Sequence, residues 1–153
     1  MTFKEKLKNL KREHEQSDIK FPLKNLLKSV DELQHTISDI WLNEYKKEGL
    51  LKFKFVYVKR QNHRIGKYKT SNLEIYLINN KNIVFTPVFS NSSLNFRLEC
   101  YLENNPIDKI IIISKHLNEN EFEWVFYRSL IPDIFYSFTK KELEKIIESW
   151  LLK

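Results

Sequence analysis

Four histidines, His14, His35, His63 and His116, and a single cysteine, Cys100, are the side chains best suited to hold a transition metal. Such a site needs two or more of them on one helix face or strand edge, at spacings such as HxH, HxxxH or HExxH. None of these spacings occurs. The histidines therefore read as ordinary surface or half-buried side chains, including His14, which continues an apolar helical stripe and precedes Glu15. A lone cysteine excludes an intramolecular disulfide and a cysteine cage, and fits a reducing cytoplasm.

Nucleophilic chemistry fares no better. Cys100 stands in the alternating set Phe96, Leu98, Cys100, Leu102, the expected buried side of a strand, where desolvation raises a thiol's pKa and quenches it. The serines of SNSS, residues 90 to 93, lack a GxSxG context and read as a polar loop. Gly49 and Gly66 are the only glycines, so neither GxxxxGK nor GxGxxG exists, and phosphate-cradling loops of the P-loop or dinucleotide type are excluded. A sheet-borne nuclease would want Glu-x-Lys on a strand. Glu74 is followed by Ile75 and Tyr76, and Glu99 by Cys100 and Tyr101. Glu121 and Glu123 would share a strand face, but Asn118, Glu119 and Asn120 before them mark a solvated strand entrance. No catalytic residue, cofactor or metal is assigned, and the chain is expected not to be an enzyme.

Charge is the remaining signal. Residues 51 to 69, LKFKFVYVKRQNHRIGKYK, carry seven Lys or Arg and one His without a carboxylate. Residues 1 to 69 hold 17 bases and 9 acids, net +8, and residues 70 to 153 hold 9 bases and 11 acids, net −2. A basic half beside a nearly neutral one points to an anionic partner. In KFKFVYVK, Phe53, Phe55 and Tyr57 alternate with Lys52 and Lys54, which places the aromatics in the core and the lysines outside. RQNHRIGKYK then reads as a basic hairpin tip around Gly66. Lys59, Arg60, Arg64, Lys67 and Lys69 are the candidate binding residues. Lys4, Lys8 and Lys11 would join them if the first helix packs alongside, and Tyr68 is a candidate to stack a base.

Periodicity gives the helices and strands that carry these residues. Phe3, Leu7 and Leu10 form the stripe of a helix over about 3–16. Pro22 opens a second helix over about 22–48, with Leu26, Val30, Leu33, Ile37 and Ile40 as its stripe, widened by Trp41 and Tyr45 and stopped by Gly49. This stripe is too short and too broad for a coiled coil and is expected to lie lengthwise on a sheet. From Leu51 the period becomes two, and six strands follow over about 51–128, with INNKN as a hairpin turn in which Asn takes the positive φ. Ile110 to Ile113, apolar on both faces, suits a central strand. Residues 129 to 138 are expected to cross over through Pro132. Thr139 and Glu142 cap a last helix over about 140–152 with Leu143, Ile146, Ile147, Trp150 and Leu151 on its apolar face.

The order α-α-β-β-β-β-β-β-α, without helices between strands, predicts an α+β fold: a mostly antiparallel six-stranded meander with two N-terminal helices and one C-terminal helix packed on it. At 153 residues, 42% hydrophobic and without a linker-like segment, the chain is expected to be one domain, 1–153. MTFKEKLKNLKREHEQ has charges where a signal peptide needs an apolar run, and no run is long enough to span a membrane. The expected role is an intracellular, non-catalytic protein-binding module of the immunity or antitoxin type, meeting an acidic protein through the basic hairpin. Nucleic acid is the alternative partner. A monomer is expected, with a homodimer as the alternative.

Overall fold

Helix α1, Phe3–Lys20, begins at a reciprocal cap. The Glu5 N–H donates to Thr2 Oγ1 and the Thr2 N–H donates to Glu5 Oε2, both at 3.2 Å. The structure is a computed structural model that describes residues 1–20 and 23–152, with side chains described for 1–12 and 25–152. The roles given to His14 and Pro22 lie outside the described side chains. From Phe3 to Arg12 every side chain of α1 is exposed, so this helix, expected on the sheet, presents Phe3, Leu7 and Leu10 to solvent.

The second expected helix is present over nearly its whole length but is broken in the middle. Helix α2, Leu23–His35, passes into a π-helical turn, Thr36–Trp41, closed by the Leu42 N–H donating to the Ile37 carbonyl at 3.0 Å. Helix α3, Asn43–Lys47, completes the run. A π turn holds one residue more than an α turn and so rotates the residues beyond it about the helix axis. Val30, Leu33 and Ile37 are buried as their spacing predicts, but Ile40 swings out to 70% exposure and Leu42 takes the buried place. Gly49, at φ +74°, ends the run: its N–H donates to the Lys46 carbonyl at 3.0 Å and the Leu50 N–H to the Tyr45 carbonyl at 2.9 Å, a Schellman closure.

Seven strands come next in one antiparallel meander, spatially in chain order. They are β1 Leu51–Asn62, β2 Gly66–Leu77, β3 Asn82–Ser90, β4 Asn95–Leu102, β5 Asn105–His116, β6 Phe122–Arg128 and β7 Ile131–Ser137. The seventh replaces the crossover expected at 129–138. Pro132 is tolerated there because β7 is an edge strand, where no further ladder needs its N–H. Asn80 takes the positive φ, +62°, that the INNKN turn requires.

Register brings Ile75, Ile83 and Leu102 side by side, and likewise Leu73, Phe85, Cys100 and Ile110, so one sheet face is apolar across its width. Onto it pack Leu33, Ile37 and Leu42 from the N-terminal helical run, and Leu143, Ile146, Ile147 and Trp150 from helix α4, Lys140–Leu151. The Thr139 hydroxyl accepts the Glu142 N–H and caps α4, as its sequence predicts. The fold is α+β, with α2 and α4 on one face of the meander.

Strands β2 and β3 pair only from Leu73↔Phe85 to Tyr76↔Asn82. Beyond that point Gln34 intervenes, its Nε2 donating to the Ser71 carbonyl at 3.0 Å and the Phe85 carbonyl at 3.3 Å. The far half of the β1–β2 hairpin leaves the sheet here and packs Ile65 and Tyr68 onto a second cluster built on Val30, Phe89 and Phe96.

Candidate functional site

The hairpin is regular enough that each side chain's face follows from its number. Strands β1 and β2 pair without a bulge from Leu51↔Leu77 to Asn62↔Gly66. The turn is held by the Arg64 N–H donating to Asn62 Oδ1 at 2.8 Å and by Gly66 at φ +81°. On one face of the far half stand Tyr57 opposite Ser71, Lys59 opposite Lys69 and Gln61 opposite Lys67; on the other, Val58 opposite Thr70 and Arg60 opposite Tyr68. The second face turns inward: Thr70 is buried, and Val58, Arg60 and Tyr68 are half-buried.

Of the five candidate residues, the outer face unites Lys59, Lys67 and Lys69, all exposed, and Arg64 stands exposed at the tip. Arg60 stands on the other face of the ladder, opposite Tyr68. Its Nε is enclosed and has no acceptor among the described residues. Beside it Tyr68 packs edge-on against Phe96 at 5.6 Å, and burial pushes its hydroxyl pKa up against the opposing influence of the Arg60 charge. Tyr68 thus packs on the second cluster while its half-buried side chain also lines a depression beside the lysines. Tyr57 reverses in the other direction: expected in the core, it is 80% exposed and borders the lysines. The cause is a change of inward parity, from Phe53 and Phe55 to Val58 and Arg60 on β1, and from Leu73 and Ile75 to Tyr68 and Thr70 on β2. The sequence carries only part of this signal, in Val58 and Tyr68, because the other inward residues of the far half, Arg60 and Thr70, are polar.

Lys59 and Lys69 face each other directly, an arrangement that costs a hairpin about 0.2–1 kcal/mol. Among the described residues no carboxylate lies within ion-pair distance of Lys59, Lys67 or Lys69. With Arg60, Gln61 and Tyr68 they line this shallow depression of about 480 Å³. An anionic group seated there would turn mutual repulsion into attraction.

The other chemistry-bearing residues are dispersed. His35 Nδ1 lies 3.3 Å from Asp39 Oδ2 and its ring stacks on Phe55 at 4.8 Å, while His116 leans on Phe122. Cys100 is buried, and burial pushes its thiol pKa well up, away from nucleophilic use. Glu123 faces Lys115 across the sheet and Glu121 is exposed. Among the described residues no three His, Cys, Asp or Glu gather closely enough to hold a metal ion. No described helix is long and apolar enough to cross a membrane.

One charged cluster escaped sequence reasoning. Buried Glu99, on the sheet face opposite the helices, accepts from Arg97 Nη2 at 2.8 Å and Nε at 3.0 Å through one oxygen, and from Lys109 Nζ at 3.0 Å through the other. The i, i+2 spacing of Arg97 and Glu99 was its only local sign. With both oxygens engaged by cations, Glu99 ties strand β4 to strand β5.

No family model, no curated protein and no solved structure matches this chain.

Proposed function

We propose that the protein is a non-catalytic binding module whose basic hairpin face holds an acidic protein partner, in the manner of stoichiometric immunity or antitoxin proteins. The observation that carries this reading is the unopposed cross-strand pair Lys59–Lys69 with Lys67 beside it, on a face backed by packed side chains. Repulsion retained on a rigid support favours binding of opposite charge, since the support adds no ordering cost when the partner arrives. The same reading puts the protein in the cytoplasm, in keeping with its single buried thiol.

A free two-stranded ribbon can enter the DNA major groove. Here Ile65 and Tyr68 tie the tip to the second cluster, which leaves a fixed, shallow surface better suited to another protein than to a groove-entering ribbon. Nucleic acid remains a second reading because of Tyr57, an exposed ring beside three lysines and able to stack a base.

The test is a pull-down from nuclease-treated and untreated lysate with the wild type and with the triple variant Lys59→Glu, Lys67→Glu, Lys69→Glu. The expected result is one stoichiometric acidic protein that survives nuclease and is lost from the variant. The variant's unfolding free energy should stay within about 0.5 kcal/mol of wild type, because all three side chains are exposed. Retention of the partner by the variant refutes the site. Binding that vanishes with nuclease and falls log-linearly with salt selects nucleic acid instead.

A further inference from the structure

Helix α1 is a strongly specified element without a visible use. Its capping box starts it cleanly, yet Phe3 is 77% exposed and Leu7 and Leu10 are half exposed or more. Lys4, Lys8 and Lys11 repeat the same i, i+4, i+7 spacing on the adjoining face. In proteins a helix such as this one draws most of its stability from packing its apolar stripe against a partner surface.

At the base of the hairpin the molecule carries a matching surface. Leu42, Leu50, Ile78, Ile147 and Leu151 line an apolar groove of about 370 Å³ between α3, β1 and α4. Ile78 is 73% exposed, and Leu50 and Leu151 are also open to solvent. Glu144 and Glu148, one helical turn apart on α4, form its rim, with Glu144 fixed by the Tyr45 hydroxyl at 2.8 Å. Lys4 and Lys8 are likewise one turn apart, so an α1 laid along α4 with its leucines in the groove sets two lysines against two glutamates at equal pitch.

The chain's own α1 does not satisfy this match. Helix α1 ends at Lys20 and α2 begins at Leu23, the end where Leu26 and Leu27 pack on the second cluster. The groove lies past Leu42, about 24 Å further along the helical run from Leu26. Folded back along α2, α1 would carry Phe3 about 26 Å from Lys20 but Leu10 only about 15 Å, leaving Leu10 over the exposed polar residues Lys28 and Glu32. A second copy is not bound by that tether.

The geometry points to a homodimer in which α1 of each copy lies in the Leu50–Ile78–Leu151 groove of the other, its lysines on Glu144 and Glu148. Such an exchange is self-complementary, closes with two-fold symmetry and buries both apolar stripes at once. It leaves the outer face of Lys59, Lys67 and Lys69 free, so it stands whether or not that face binds an acidic protein.

Sedimentation equilibrium of the full chain tests it. Wild type should dimerise between low and high micromolar concentration, and Leu7→Asp should weaken the dimer at least about tenfold, since a charge replaces a central apolar contact. The double variants Lys4→Glu/Lys8→Glu and Glu144→Lys/Glu148→Lys should each be monomeric alone and should dimerise when mixed one to one, because each then offers the helix or groove that the other matches. A wild type that stays monomeric, a Leu7→Asp chain that dimerises undiminished, or a folded pair of double variants that fails to associate on mixing overturns the proposal. Leu7→Asp carries the test alone if the α4 variant does not fold.

Discussion

Where β2 parts from β3, just beyond the pair Leu73↔Phe85, the single amide nitrogen of Gln34 donates to the carbonyls of both Ser71 and Phe85. A buried carbonyl left without a donor costs about 1–3 kcal/mol. Gln34→Leu keeps the side chain's bulk but removes that nitrogen together with Oε1, which is buried without a partner among the described residues, so the loss of the donor is partly offset and urea unfolding should show a net loss of about 1 kcal/mol. A neutral result would mean that the strands close up without the glutamine and that it does not set the hairpin's departure. Buried Glu99 obeys similar logic with charge in place of amide, since Arg97 and Lys109 together satisfy both its oxygens. At this scale the sequence is a partial guide. It exposes Cys100 as a buried thiol through its alternating neighbours, but it gives no sign of Gln34, whose partners lie 37 and 51 residues away.

The helical run from Leu23 to Lys47 shows how an element departs from its own pattern. The 4-3-4-3 spacing predicts that Ile37 and Ile40 share a buried stripe, whereas the π turn keeps Ile37 in and puts Ile40 out. Ile37→Ala should cost about 2–5 kcal/mol and Ile40→Ala less than about 0.5 kcal/mol, read from urea midpoints at constant slope. Equal losses would restore a plain α-helix. Strand alternation made six strands and the covering helices legible, because burial on one face imposes a period of two that composition cannot imitate. The seventh strand was hidden by Pro132 and by the fact that all its residues are exposed, so no burial pattern marks it. The two sheet edges are guarded differently. On β1 the exposed lysines Lys52 and Lys54 deter pairing with another chain, and on β7 Pro132 and Asp133 do so at its start. Tyr57 leaves its expected place in the core for a reason above the strand: which face of a long hairpin is inside depends on where it leaves its sheet.

For the whole molecule, the question is whether the basic face rides on the domain or on a loosely attached arm. Among the described residues only Val30, Phe89 and Phe96 are buried in the second cluster, too few to hold a two-stranded ribbon that would be marginal by itself. Trp124 packs against both this cluster and the main core, and its ring meets Phe122 edge-on at 5.5 Å. The far hairpin, the sheet and α2 thus share one indole, and opening the hairpin should require disturbing the core. Native-state hydrogen exchange should therefore give the hydrogen-bonded amides of residues 57–70 an opening free energy within about 1–2 kcal/mol of global unfolding. Trp124→Ala should lower both, and the hairpin more, because it removes the only residue that packs on both clusters among those described. Should the hairpin amides open several kcal/mol below the global value in the wild type, the lysines would sit on a mobile arm. The repulsion between Lys59 and Lys69 could then relax by strand separation, and the physical ground for reading that face as a preorganised anion-binding surface would be gone.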